Sequence, residues 1–341
     1  MPSPFLIDAG GDVAMSPLDL ERTAAAAEAG GYDGMIVPET KHDAFVGLSL
    51  AARATSRITL GSGIAVAFAR NPMTVATAAN DLQLISEGRL LLGLGSQVKA
   101  HIERRFSMPW SSPARRMADF VGAVRAIWQA WQTGERLRYE GEFYRHTLMS
   151  PFFDPGPNPH GTPPVWIAAV GEGMAETAGR VADGVIGHSF TTQRYLDEVS
   201  LPAVRRGADA AGRDIAEIGY SIPAFVALGS SQSELDEAIE AVRRQIAFYG
   251  STPAYRGVLE LHGWAAVGDQ LHAASTRGGW AEMGKLVTDG MLAEFASVGS
   301  PAEVAAQVRE RYAGRATRLS FYAPYEVAPG TWGELLAAVR A

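Results

Sequence analysis

The feature that most restricts this chain is a repeated alternation of short apolar runs with longer segments of helical period. Strands are read at Pro4–Ala9, Asp33–Glu39, Arg57–Val66, Arg89–Ser96, Pro164–Gly171, Gly184–Phe190, Glu217–Gly229 and Thr317–Pro324. Most are continuous apolar runs, the pattern of parallel strands covered on both faces. Between them lie helix signals. Ser16-Pro17-Leu18-Asp19, Asn71-Pro72, Ser231 with Glu234, Ser300-Pro301-Ala302-Glu303 and Thr331 with Glu334 read as helix starts. Pro202 predicts a kink or break in its helix. About eight such units predict either a closed (β/α)8 TIM barrel or a large open sheet. Right-handed crossovers bring every strand's C-terminal end to one rim, where barrels keep their function. The expectation is a single barrel domain over 1–341, with insertions of about 101–163 and 249–298 at that rim.

Composition excludes several classes. With 341 residues, 47% of them hydrophobic, the chain can bury one large core. The net charge of −7 gives no field for nucleic acid or anionic membrane. An anionic ligand must therefore be held locally. The absence of cysteine excludes disulfides and thiolate chemistry. The first residues do not read as a signal peptide, and no apolar run is long enough for a membrane span, so a cytoplasmic location is expected. No HExxH pattern, Walker loop or G-x-S-x-G elbow is present, and no metal site is expected. A Schiff-base aldolase would have to use Lys41 or Lys99, and a glycosidase would need a second strand-end acid to match Glu39.

Four strand ends carry the chemistry. They are Glu39-Thr40-Lys41-His42-Asp43, Gly61-Ser62-Gly63-Ile64, Gly93-Leu94-Gly95-Ser96-Gln97 and Ala168-Ala169-Val170-Gly171-Glu172-Gly173. Gly93-x-Gly95 reads either as a tight barrel turn or as backbone approaching a ligand. Gly171 and Gly173 open a helix whose free N–H groups could hold a phosphate, provided Glu172 turns away. Histidine suits proton transfer near neutral pH, which makes His42 and His188 the candidate donors; the alternative is a rim histidine bonded to backbone. Arg104 and Arg105 read as a solvated face or as phosphate ligands. Phe68, Trp110, Phe152, Phe153, Phe190 and Trp264 divide between core and substrate wall.

The ordered set GYDGMIVPE, LGSGIAV, RNP, GRLLLGLGS, WIAAVG and ADGVI resembles the luciferase-like superfamily of flavin and deazaflavin oxidoreductases. It is most similar to the branch that uses the deazaflavin coenzyme F420. That resemblance implies a non-prolyl cis peptide in a bulge behind the coenzyme ring, at Gly63–Ile64. The residues alone would make it an ordinary trans bend. It also implies contacts to the coenzyme from Gly95, Ser96 and Gln97 and from Ala169, Val170, Gly171 and Gly173, with Glu39 and Thr40 near the pyrimidine end. Some relatives carry a catalytic histidine where this chain has Thr40, which weakens transfer of that role, and His42, two residues further on, is the candidate substitute. Glu39, also a candidate catalytic acid, fits better as an orienting group or a partner for a cation. The expected activity is hydride transfer between F420 and an organic small molecule. The alternatives are an FMN-dependent monooxygenase and a non-catalytic deazaflavin carrier. Relatives often form dimers, so a homodimer is possible.

Overall fold

The computed structural model describes residues 5–10, 15–328 and 330–341; Pro4 of the first expected strand lies outside them. The strands are β1 (Leu6–Gly10), β2 (Gly34–Val37), β3 (Thr59–Ser62), β4 (Leu90–Gly95), β5 (Val165–Ala168), β6 (Gly184–Ile186), β7 (Gly219–Leu228) and β8 (Arg318–Tyr322). Each pairs in parallel with its neighbours in this order, and β8 returns to β1 with Arg318 opposite Leu6 and Leu319 opposite Ile7. The sheet is therefore a closed eight-stranded barrel, not an open one. The helices that follow the strands are α1 (Pro17–Ala29), α2 (Ala44–Ala54), α3 (Pro72–Ile85), α4 (Pro113–Thr133), α5 (Glu172–Val181), α6 (Leu201–Ala210), α7 (Pro301–Tyr312) and α8 (Thr331–Arg340). Leu48 and Ala51 of α2 and Val75, Ala76 and Ala79 of α3 are buried, so the apolar stripe of each helix covers the outer face of the strands.

Several local expectations change. The third strand does not run unbroken through Val66. It stops at Ser62, passes through a cis peptide at Gly63–Ile64, and resumes at Ala65–Val66 against Leu94 and Gly95 of β4. Ser16 does not cap α1 with its side chain; its hydroxyl donates to Asp19 instead, at 2.7 Å. Ser300 and Glu303 do form the expected capping box. Thr331 is the first residue of α8, and the cap is Gly330 in the left-handed region. At Pro202 the break takes a specific form: residues Leu196–Ser200 are a π-helical turn, and α6 begins at Leu201.

The insertions are placed differently from expectation. The hairpin Tyr139–Glu140/Arg145–His146 packs along the outside of α4, where the Tyr139 hydroxyl donates to Asp119 at 2.6 Å and Asp119 accepts from the Tyr144 N–H at 3.0 Å. The stretch before α4 reaches the rim, where Arg105 donates to the Thr40 carbonyl. The helix Gln232–Gly250 and α7 both pack against β7, and α7 also packs against α8. The second insertion also contains an unexpected strand, Ala296–Gly299, which runs parallel to the upper end of β7 with Ala296 opposite Phe225. Among the described residues, no helix is long and apolar enough to cross a membrane.

The β1–β8 closure carries a buried ion pair. Arg318 Nε and Nη2 donate to the two carboxylate oxygens of Asp8 at 2.8 and 2.5 Å, and both residues are almost fully buried. Burial pushes the Asp8 carboxyl up, against the pull of the guanidinium. A Cβ on Gly34 would collide with Asp8, so the fork depends on the missing side chain of the next strand. Arg318→Met leaves Asp8 unpaired inside the barrel. The expected loss is about 3–5 kcal/mol by urea unfolding, and a loss below about 1 kcal/mol would show the fork to be dispensable to closure.

Candidate active site

The ends of β3, β4 and β5 lie side by side at the C-terminal rim because these strands are successive neighbours in the barrel. The first two turns are held together without side-chain spacers. Ser62 Oγ is buried, donates to Gly93 O at 2.8 Å and accepts from Gly93 N at 3.0 Å. A Cβ on Gly93 would run into the Ser62 carbonyl, and one on Gly95 would come within 2.7 Å of Ile64 Cγ1. Glycine is required at both positions so that two backbones can approach. Ile64 itself is half-buried against Gly95, and Gly63 leaves no room for a Cβ because Ile36 fills it. Ser96 and Gln97 are half-buried at the mouth, and Gln97 has φ 60°, the left-handed region. The Gln97 side-chain oxygen accepts from Val98 N at 3.0 Å, which fixes the turn.

The third turn is open. Ala169 is buried and Val170 half-buried, whereas Gly171 and Gly173 are exposed and a Cβ on either would meet nothing within 4 Å. Gly171 is the N-cap of α5, and the first N–H groups of that helix point out of its end. Glu172 does not oppose an anion there: its carboxylate pairs with Arg206 of α6, which draws it sideways.

Glu39 is committed to a cation. Its carboxylate accepts from Val66 N at 2.8 Å and from Arg70 Nη1 at 2.8 Å, and Arg70 also reaches Asp43 at 2.6 Å. Opposite charge raises the Arg70 pKa against the burial that lowers it. Glu39 thus braces the chain just after the Gly63–Ile64 bulge, and Arg70 is a site residue that the motif reading passed over. Thr40 is half-buried, and its carbonyl accepts from Arg105 at 2.6 Å, so Arg105 ties the second rim loop to the fourth. His42 and Arg104 are exposed.

His188 stands on the other half of the mouth, after β6. Its Nδ1 accepts from Phe190 N at 3.0 Å, and its Nε2 lies 3.4 Å from the Tyr255 hydroxyl. Tyr249 meets its ring edge-on at 4.6 Å and Tyr255 lies tilted against it at 4.7 Å. Burial lowers the imidazole pKa to about 4. The Tyr255 hydroxyl is pushed up to about 12, again by burial. Tyr322, at the end of β8, stacks tilted on Phe225 at 5.1 Å and hydrogen-bonds Tyr249. Tyr249, Tyr255 and Tyr322 were not read as site residues: two lie in the insertion, and only folding brings them over the strand ends. Of the expected wall aromatics, Phe68 and Phe190 are fully buried, Trp110 and Trp264 are half-buried, and Phe152 and Phe153 are exposed on the loop after the outer hairpin.

A cleft of about 790 Å³ lies elsewhere, between the helix Gln232–Gly250 and residues 325–331. Its walls carry Glu234, Asp236, Glu237, Glu240 and Glu326, a poor setting for an anionic coenzyme. Among the described residues, no three His, Asp or Glu side chains cluster as a metal site would require.

The fold recurs in known proteins. The luciferase-like monooxygenase family matches residues 4–318. An uncharacterized protein of Mycobacterium tuberculosis is 53% identical over 306 residues, which is 89% of this chain and 90% of that protein. A 5,10-methylenetetrahydromethanopterin reductase of Archaeoglobus fulgidus is 28% identical over 305 residues, covering 87% of this chain and 86% of the reductase. The structure of the coenzyme F420-dependent tetrahydromethanopterin reductase of Methanopyrus kandleri superposes with a TM-score of 0.78 at 23% identity, covering 100% of this chain and 98% of that one. Because that family's model matches nearly the whole chain, this protein belongs to the luciferase-like monooxygenase family.

Proposed function

We propose that this protein is an oxidoreductase that uses coenzyme F420, moving a hydride to or from an uncharacterised organic substrate. The observation that carries the reading is the cradle itself: Ile64 packed on Gly95, beside an open helix start at Gly171–Gly173. The reductase likeness favours the deazaflavin over FMN, which shares the flat ring and is the alternative coenzyme. In this reading Ile64 supports one ring face, Gly95, Ser96 and Gln97 line its edge, and Ala169 and Val170 close the far side. Gly171 and Gly173 let the tail phosphate approach the N-terminus of α5, where free N–H groups favour negative charge. Glu39 and Arg70 hold the bulge in place. The bound coenzyme supplies the hydride chemistry; the chain supplies a stacking surface, orientation and exclusion of water. The tight aromatic packing over β6–β8 serves a reactive mouth better than a mere carrier.

Fluorescence titration tests the coenzyme. Micromolar or tighter affinity for F420 with weaker FMN binding is expected, and the reverse order makes the protein an FMN enzyme. Substitutions at the third turn separate binding from folding. Gly173→Val has space for its side chain, so the melting temperature should hold within a few degrees while deazaflavin affinity falls at least about tenfold. Unchanged affinity would move the tail away from α5.

His188 makes a further prediction about acid stability. Its folded pKa of about 4 lies below the ordinary 6.5, so the folded state excludes a proton that the unfolded chain accepts. That stability is complete above pH 6.5 and is lost as the pH falls toward 4. By linkage, about 2 kcal/mol should disappear between pH 7.5 and 5. His188→Gln should flatten this part of the urea-stability profile; an unchanged slope would assign the acid sensitivity to other groups.

A further inference from the structure

The turn after β5 is not packed solid from behind. A small cavity of about 10 Å³, room for one water, lies against it and is walled by Ala169, Val170, Thr191, Tyr195, Ser200 and Tyr220. The Thr191 hydroxyl in that wall is buried and has no hydrogen-bond partner among the described residues. Sheet pairing holds the turn as far as Ala169, whose N–H donates to the Ile186 carbonyl at 3.0 Å. One residue on, the Val170 carbonyl accepts from the Tyr195 hydroxyl at 3.3 Å, a long bond made across the cavity wall. Gly171 then begins α5 as its N-cap.

Tyr195 reaches this carbonyl from a fixed position. Its side chain is buried, and its N–H donates to Thr192 Oγ1 at 3.1 Å. That oxygen lies 2.8 Å from His262 Nε2 in the second insertion. Arg194, the residue before Tyr195, donates to the Leu261 carbonyl at 2.9 Å. The ring is therefore anchored to the second insertion, and not only to the barrel.

The peptide plane transmits that anchoring. In a trans peptide the C=O and the next N–H point in opposite directions. With the Val170 carbonyl held on the side of the buried Tyr195, the Gly171 N–H turns to the opposite side. Gly171 is exposed, and a Cβ there would meet nothing within 4 Å. This N–H adjoins the unpaired N–H groups in the first turn of α5. One hydroxyl thus sets the direction of the donor at the very start of that helix.

Resting on the coenzyme reading above, we propose that Tyr195 is a positioning residue for the coenzyme tail: its hydroxyl orients the Val170–Gly171 peptide so that the Gly171 N–H donates to the tail phosphate. Tyr195 itself does not touch the ligand. Without its hydroxyl the cavity gives the peptide room to turn, and the donor must be reoriented when the phosphate binds.

The test uses the full chain, its Tyr195→Phe variant and a Thr191→Val control that alters the same cavity but keeps the bond. In protein labelled with nitrogen-15 glycine, the Gly171 amide signal of the wild type and of Thr191→Val should shift as inorganic phosphate is added. In Tyr195→Phe that shift should be lost or need about fivefold more phosphate, the effect of one hydrogen bond. F420 affinity should fall by a similar factor in Tyr195→Phe. Affinity for the same deazaflavin lacking the phosphate tail should not change, and the melting temperature should hold within a few degrees. A merely structural tyrosine would weaken both deazaflavins together or lower stability alone, and either result overturns the proposal. Equal loss of the phosphate response in Thr191→Val also overturns it, since the cavity and not the bond would then be responsible. A wild type whose Gly171 signal follows phosphate but which binds no deazaflavin overturns the coenzyme reading instead.

Discussion

The site depends on how closely two backbones can approach. β3 and β4 end in turns that touch through main-chain atoms, with the Ser62 hydroxyl stitched to both the N–H and the carbonyl of Gly93. No other residue could stand at position 93, because a Cβ there would occupy the place of the Ser62 carbonyl. The result is a shelf made of peptide groups and one aliphatic side chain, Ile64, instead of mobile side chains. A flat ring placed on such a shelf loses little to reorganisation, since the shelf has few rotamers to freeze. Glu39 extends the principle by fixing the far side of the bulge through Val66 N and Arg70. A charged pair with Glu39 only about 9% exposed is costly to assemble unless its remaining hydrogen bonds are met, and here the backbone N–H of Val66 meets one of them.

The barrel mouth therefore has two unlike halves. The β3–β5 half is built from backbone and glycine, and the β6–β8 half is built from rings. Closure of the sheet forces them to face each other, and the Asp8–Arg318 fork lies across the closing seam. The extra strand Ala296–Gly299 lengthens the wall at β7 and anchors the helices of the second insertion, so Tyr249 and Tyr255 are supported by sheet as well as by helix. Rings packed at 4.6–6.3 Å on three strands and an insertion resist rotation more than loop side chains would.

Much of this was legible in the residue order. Continuous apolar runs separated by helix caps specify parallel strands between helices, and the C-terminal end of each strand follows from handedness alone. The four informative turns were found in this way, at the ends of strands that are neighbours in the barrel, with Ile64 packed against Gly95. The cis geometry of Gly63–Ile64 was not legible from the dipeptide, which is equally at home in a trans bend; only the family likeness pointed to it. Pairing over long separations was also hidden. Glu39 and Arg70 are far apart in sequence, and neither shows by its position that it will meet the other. The strand Ala296–Gly299 begins directly where the helix Asp289–Phe295 ends, so it lacks the turn signal that preceded the others. Tyr249 sits at the end of an amphipathic helix and reads as a packing residue until the helix is seen to return to the mouth.

One apparent conflict is resolved at short range. A chain of net charge −7, with an acidic cleft beside its second insertion, is an unlikely host for an anionic coenzyme. Screening by salt limits that opposition to about 8–10 Å, so only charges close to the third turn count. Among these are Glu172, at the start of α5, its partner Arg206, and the peptide dipoles of α5 itself. Arg206 of α6 pairs with Glu172 and comes within 3.7 Å of Glu176, so the one carboxylate that could repel a phosphate is neutralised by its neighbour helix. The dipoles remain, unopposed and aimed out of the helix at two glycines whose missing side chains leave the approach clear. Local backbone field, rather than net charge, thus governs how an anion would fare at this helix start, and Arg206 favours it by pairing with Glu172.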